Sequence, residues 1–225
     1  MAERSSIFDM IGPVMIGPSS SHTAGVVRIG RTARRLLGAQ PEQAVVTFYN
    51  SFSRTYEGHG SDRAIVAGLM DMNPDDIRIK TSLELAQSLG LQVTFKAVFN
   101  ASDLHANSVR VQMTLGDRQM QILGISRGGG LISIVSIDGF ACNFTAQNQT
   151  LVISARDVHG SVAFISSVIA QESCNIATLT VNRSGKNDTA RLVFELDSGI
   201  RPLTLDYLRS LGWVEEVIYL EKPED

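Results

Sequence analysis

The sequence predicts an α+β protein in two parts, with helices early and strands late in the first and a compact βαββαβ order in the second. Three observations carry this reading. A helix-period apolar pattern follows a Gly-Pro turn near the N-terminus. Alternating apolar segments from Ser108 onward are interrupted only by glycine turns. Beyond the polar stretch Thr145–Gln149 (TAQNQ), strand and helix patterns alternate in a new order. The expected division is residues 1–146 and 150–225, with TAQNQ as the linker. A chain of 225 residues suits one large domain or two ordinary ones.

In chain order, an apolar segment from Ile7 to Ile16 runs into Gly17-Pro18-Ser19-Ser20-Ser21-His22-Thr23. Ala24 to Leu37 reads as a helix, with Val26, Ile29, Ala33 and Leu36 on one face and Gly38 as its stop. Ala44 to Tyr49 reads as a strand. A polar loop, Tyr56-Glu57-Gly58-His59-Gly60-Ser61-Asp62, leads into a helix from about Arg63 to Met70, with Ser61 as its N-cap. Thr81 to Leu89 reads as a helix closing at Gly90, and Gln92 to Phe99 alternates as a strand. Val109–Leu115, Gln119–Ser126 and Leu131–Ile137 then form an antiparallel meander, turned at Gly116-Asp117 and at Gly128-Gly129-Gly130.

The second part starts with a strand, Leu151–Ala155, and a turn at Val158-His159-Gly160. Ser161 to Gln171 follows as an amphipathic helix facing inward through Val162, Ile165 and Ile169. Strands Ile176–Asn182 and Ala190–Glu195 are joined over Ser184-Gly185-Lys186-Asn187. A helix over Leu203–Leu211 stops at Gly212, and Trp213–Leu220 is the last strand. This is the order of a ferredoxin-like split βαβ.

Composition narrows the function classes. With 44% hydrophobic and 19% charged residues the chain is that of a soluble globular protein. A net charge of −3 argues against a nucleic-acid surface. The basic cluster Arg28, Arg31, Arg34 and Arg35 reads as a solvated helical face. No apolar run approaches the roughly 20 residues of a membrane span, and the N-terminus lacks the pattern of a signal peptide, so a cytoplasmic protein is expected. Cys142 and Cys174 stand apart without CxxC spacing and read as buried free thiols.

The serine loop holds most of the chemistry. Hydroxyls and unpaired N–H groups at the positive end of a helix dipole make a site for a carboxylate or a phosphate. Three serines and a histidine exceed what helix capping needs. A hydrolase reading expects a G-x-S-x-G elbow, which is absent. His22 can titrate near neutral pH. His59, between two glycines, reads as an exposed, mobile site histidine. His105, in Asp103-Leu104-His105-Ala106-Asn107-Ser108, is a weaker candidate. The histidines have no i, i+4 spacing, so a histidine metal site is not expected.

The C-terminal unit resembles the ACT domain, through Arg156-Asp157-Val158-His159-Gly160-Ser161 after the first strand and Cys174-Asn175-Ile176 before the second. His159 stands where the usual pattern has proline. The resemblance implies an amino-acid ligand near that turn and across a dimer interface, with Asp157, Gly160 and Asn175 as positions to test, or a module that only pairs with a second copy.

GPSSSHT, GHGSD about forty residues on, HANS, the triple glycine and the trailing ACT module together resemble the beta chain of iron–sulfur-dependent L-serine dehydratase, over essentially the whole chain. HANS departs from that family's usual His-Pro-Asn-Thr at Ala106 and Ser108. The first domain is similar to the allosteric substrate-binding domain of some phosphoglycerate dehydrogenases. The resemblance implies deamination of L-serine to pyruvate and ammonia. A 4Fe-4S cluster with one open iron then acts as Lewis acid on the serine hydroxyl. Such a cluster needs cysteine thiolates, and Cys142 and Cys174 are too few, so a partner alpha chain is expected to ligate it.

Within this resemblance, Ser19, Ser20, Ser21, His22, Thr23 and Asn107 are expected to bind substrate. His59 is the leading candidate for the α-proton base, and His22 and His105 orient the substrate or share proton traffic. The rival expectation is a non-catalytic regulatory subunit that senses an amino acid. A free-standing hydrolase is a third class.

Overall fold

The computed structural model describes residues 13–223; most of the predicted Ile7–Ile16 segment lies outside them. The chain separates into two compact units, 1–139 and 140–225.

The first unit opens with a π-turn, Ser20–Ala24, continuing directly into α1 (Gly25–Leu37). Val26, Ile29, Ala33 and Leu36 are fully buried, as the 3.6-residue period predicts. Gly38 ends the helix at φ 97°, a left-handed C-cap suited to glycine. Then come β1 (Gln43–Tyr49), α2 (Asn50–Thr55) and α3 (Ser61–Leu69). A 3₁₀ turn (Ile77–Thr81) leads to α4 (Ser82–Ser88) and β2 (Gln92–Val98). The meander is β3 (Ser108–Leu115), β4 (Arg118–Gly128) and β5 (Leu131–Ile137). Within this unit the strands lie in the order β2-β1-β3-β4-β5, and only β1–β2 is parallel.

Two close approaches fix the helices. A Cβ on Gly68 would lie 2.2 Å from the Val27 carbonyl oxygen, and one on Gly30 2.5 Å from that of Ile65. Helices α1 and α3 therefore cross backbone to backbone. A Cβ on Gly124 of β4 would meet Ile29 at 2.7 Å, so the sheet receives α1 there. The crossing lies in the middle of α1 and the last turn of α3, and Ser61 at the start of α3 is tied to the turn before α1 by its bond to the His22 carbonyl.

The sequence did not reveal α2, six residues opened by Asn50 at φ 52°. Ser61 is not an N-cap. Gly60 holds that position at φ 70°, while Ser61 is the first helical residue and fully buried. The arginine face is partly neutralised rather than simply solvated: Arg31 Nε donates to Asp71 at 3.1 Å and Arg34 lies 3.6 Å from the same carboxylate.

The second unit comprises β6 (Phe140–Phe144), β7 (Gln149–Arg156), α5 (Ser161–Gln171), β8 (Ile176–Arg183), β9 (Thr189–Leu196), α6 (Pro202–Ser210) and β10 (Val214–Leu220). From β7 onward the order is βαββαβ, with an antiparallel sheet β10-β7-β9-β8. Its core is built on Ile153, Ile165, Ile169, Leu192, Phe194 and Leu208.

Two expectations are corrected here. TAQNQ is not a free linker, because Thr145 donates through both its N–H (2.9 Å) and its hydroxyl (2.7 Å) to the buried Glu195. The segment is tied into the second unit together with β6, whose Ala141 carbonyl accepts from Asn182 at 2.7 Å. On α5, Val162 is 36% exposed, and Val168 takes the inward place beside Ile165 and Ile169. Among the described residues no helix is long and apolar enough to cross a membrane.

Candidate active site

The serine loop is built by local hydrogen bonds before any distant element touches it. Ser19, in extended conformation, accepts at Oγ from the His22 N–H (3.3 Å), and its carbonyl accepts from Thr23 N–H (2.8 Å). This capping wraps the loop into the π-turn. A Cβ on Gly17 would lie 2.3 Å from Thr23 Oγ1, so the turn closes this tightly only with glycine there. The Ser19 and Ser21 hydroxyls come within 3.2 and 3.3 Å of His22 Nδ1.

Other elements then clamp the loop. Ser61 at the start of α3 donates to the His22 carbonyl at 2.9 Å. Ser126 of β4 donates to the Ser21 carbonyl at 2.9 Å. Gly129, in the triple glycine, donates its N–H to Ser20 Oγ at 3.3 Å. The first two of these bonds occupy carbonyls of the loop, while Ser19 already accepts from the N–H groups of His22 and Thr23 at the N-terminal end of the helix. That end carries the positive pole of the dipole and suits an anion.

His22 and His59 meet face to tilted face, ring centroids 4.7 Å apart, and Phe52 closes the other side of His22 at 4.9 Å. His22 Nε2 lies 3.1 Å from Thr55 Oγ1. Burial first, and the neighbouring His59 second, hold His22 below the ordinary histidine pKa and favour the neutral ring. His59 is half-buried rather than exposed and mobile. The flanking glycines do not shield it, but His22 does, and the Thr55 carbonyl pins its main-chain N–H at 2.9 Å. Its Nδ1 is buried and, among the described residues, has no hydrogen-bond partner. A buried, unpartnered ring nitrogen is costly to keep.

His105 is exposed and its Nδ1 accepts from Asn107 N–H at 3.1 Å. The loop carrying both is anchored on Asn50, whose amide donates to the carbonyls of Ala101 (2.9 Å) and Leu104 (3.0 Å). Ser51 N–H also donates to the Ala106 carbonyl at 2.9 Å. The His105 loop is thus fastened to α2, the helix whose Thr55 touches His22. No ring contact joins His105 to His22 or His59 among the described residues. Thr55, Phe52 and Ser126 were not singled out from the sequence, and Ser61 was read only as a helix cap. Only the triple glycine carried a signal for its part in the site.

In the second unit, Asp157 accepts from Arg183 (2.9 Å) and from Asn187 N–H (3.2 Å), and the Arg183 hydrogen bond holds its carboxyl below the usual range. Gly160 caps α5 at φ 82°. Asn175 donates to Asp197 at 2.8 Å. Within one chain the three do not meet. Asp157 and Gly160 follow Arg156, opposite Thr189, whereas Asn175 precedes Ile176, opposite Leu196 at the other end of β9.

The described residues contain no group of three or more histidine, cysteine, aspartate or glutamate side chains able to hold a metal ion. Cys142 and Cys174 are buried free thiols, and burial pushes Cys142 up to about 12, far from the thiolate a cluster requires. The donor set of these residues does not fit an iron–sulfur cluster.

Comparison with known proteins matches this geometry to a family. The model of the serine dehydratase beta chain matches residues 6–134, which include the serine loop, both facing histidines and the triple glycine. The chain is 40% identical over 212 residues to the probable L-serine dehydratase beta chain of Bacillus subtilis, covering 94% of this chain and 96% of that one. It is 35% identical over 200 residues to the L-serine dehydratase beta chain of Peptoniphilus asaccharolyticus, covering 88% and 89%. L-serine dehydratase 2 of Escherichia coli is 32% identical over 151 residues, 56% of this chain but 33% of that protein. Among solved structures, the ACT domain from the GTP pyrophosphokinase of Chlorobium tepidum covers 34% of this chain at 26% identity and a TM-score of 0.26, a likeness too slight to establish a shared fold. With the family's model spanning more than half of the chain and a relative matched almost end to end, this chain belongs to the serine dehydratase beta chain family.

Proposed function

We propose that this chain is the substrate-binding and proton-transferring subunit of an L-serine ammonia-lyase, which converts L-serine to pyruvate and ammonia together with an alpha chain. The carrying observation is the pairing of His22 with His59, whose Nδ1 is buried and without a hydrogen-bond partner among the described residues, at the serine loop that opens a helix. In this reading the carboxylate of serine sits at the N-terminal end of the Ser19–Thr23 turn, drawn by the positive end of the helix dipole, with the Ser20 hydroxyl beside it. His59 takes the α-proton, and neutral His22 packs against it without adding charge. His105 and Asn107 orient the rest of the substrate from the loop anchored on Asn50.

The 4Fe-4S cluster is assigned to the alpha chain, since the thiols described here do not fit one. What supports that division is that L-serine dehydratase 2 of Escherichia coli, a longer protein, aligns with 56% of this chain over only 33% of its own length. The second unit is read as an ACT domain on its βαββαβ order and β10-β7-β9-β8 sheet. A ligand touching Asp157, Gly160 and Asn175 together then has to sit where two copies meet.

Anaerobic co-expression with the alpha chain, followed by a pyruvate assay on L-serine, tests the reading. Turnover requiring both chains is expected, with His59→Ala and His22→Ala each reducing it. Tight serine binding without pyruvate would instead make the chain a sensor. Hydrolysis of an ester or amide by this chain alone, without iron, would instead make it a hydrolase.

A further inference from the structure

Thr55 is joined to both histidines of the site. Its carbonyl accepts from the His59 main-chain N–H at 2.9 Å. Its hydroxyl lies 3.1 Å from His22 Nε2 and also donates to the Ser51 carbonyl at 3.0 Å, one turn back along α2. A threonine hydroxyl has one proton. With that proton on Ser51 O, only lone pairs remain on Oγ1, so His22 Nε2 has to be the donor. A neutral imidazole that donates from Nε2 accepts at Nδ1. Nδ1 faces the Ser19 and Ser21 hydroxyls at 3.2 and 3.3 Å, both of which can donate.

The ring has little freedom to reverse this choice. The His22 N–H is held by Ser19 Oγ, its carbonyl by Ser61 Oγ, and its faces by Phe52 and His59. We propose that Thr55 is a positioning residue, fixing His22 as the Nε2–H tautomer and reserving Nδ1 for the serine hydroxyls of the loop. One helical residue thereby sets the polarity of the loop's hydroxyls and the placement of the opposing histidine. The consequence for turnover rests on the function proposed above; the tautomer itself does not.

The test is nitrogen-15 NMR of the histidine side chains in the full-length chain, above the pH at which the ring titrates, with His22 assigned through His22→Gln. Wild type and Thr55→Ser are expected to show His22 protonated on Nε2. Thr55→Val, similar in shape but without the hydroxyl, is expected to show a mixture or the Nδ1–H form. A wild-type ring protonated on Nδ1, or a Thr55→Val ring still wholly Nε2–H, overturns the assignment. In the assembled enzyme Thr55→Val should lower kcat by roughly 100-fold, the lower end of what a positioned acid–base group contributes, with a much smaller change in KM. Thr55→Ser should restore it. If the tautomer shifts while kcat does not, the assignment stands and the proposed role of His22 in turnover is what fails.

Discussion

The turn before α1 and the turn before α5 look alike in sequence, each a glycine-bearing loop with a histidine leading into a helix, yet they differ in how their polar groups are satisfied. Around the serine loop the clamping hydrogen bonds come from elements far apart in the chain, and a buried histidine nitrogen has no partner among the described residues. Around Gly160 the carboxylate of Asp157 is paired across the surface with Arg183, and an added Cβ at the glycine would meet nothing. The first arrangement stores an unmet polar demand inside a rigid frame. The second meets its demand at the surface, leaving nothing to drive chemistry within one copy. What distinguishes the two turns is the origin of their partners, not their residue types.

The largest expected effect breaks the comparison on the reactive side. His59→Ala should cut kcat of the assembled enzyme by about 10²–10⁴-fold while circular dichroism stays that of the folded chain. Next come the frames. Gly68→Ala forces a Cβ to within 2.2 Å of a backbone carbonyl and should cost about 3 kcal/mol in urea unfolding. Gly160→Ala meets no atom and pays only for its left-handed backbone, about 1 kcal/mol. Ser61→Ala leaves the His22 carbonyl without its donor and should cost about 1–2 kcal/mol, with His22 contacts loosened in NMR spectra.

A smaller effect is read by pH. His22 is neutral in the fold below the pH at which it charges in the unfolded chain, so the unfolded state binds the extra proton. Stability is therefore unaffected above the ordinary histidine value of about 6.5. It falls as pH drops from there toward the lowered folded value. Urea midpoints for wild type and His22→Gln should converge as pH falls through this window. The smallest effect is on the surface side: Asp157→Asn removes an exposed ion pair, and its melting temperature should stay within scatter, most of all in high salt.

Much of the frame was legible because it depends on local patterns. The buried stripe of α1, the stop at Gly38, the meander and its glycine turns, and the βαββαβ order all follow from periodicity and turn chemistry. The site was legible as an inventory: the serine loop, His22 and His59. Its geometry was not. Helix α2 is too short to show a period, and Thr55 within it is an ordinary threonine until the fold brings it to His22, thirty-three residues away. Ser61 was read as a cap because serine before a helix usually is one. Here its hydroxyl donates to the His22 carbonyl, thirty-nine residues away, instead of accepting from a backbone N–H of its own helix. TAQNQ read as a linker because it is polar, while Glu195, fifty residues on, supplies the acceptor that ties it down.

The amino-acid sequence by itself determined that an anion-attracting helix start, two separated histidines and a second βαββαβ unit would be present, because caps, glycine turns and apolar periods act within a few residues. Only the tertiary structure decided that the histidines meet, that one keeps a buried nitrogen unpartnered, and that Thr55 sets the polarity of the other. Those outcomes depend on the backbone crossing of α1 and α3 at Gly30 and Gly68 and on bonds that β4 and α2 deliver from afar. Such contacts have no period to read, since their energy appears only once distant segments have packed.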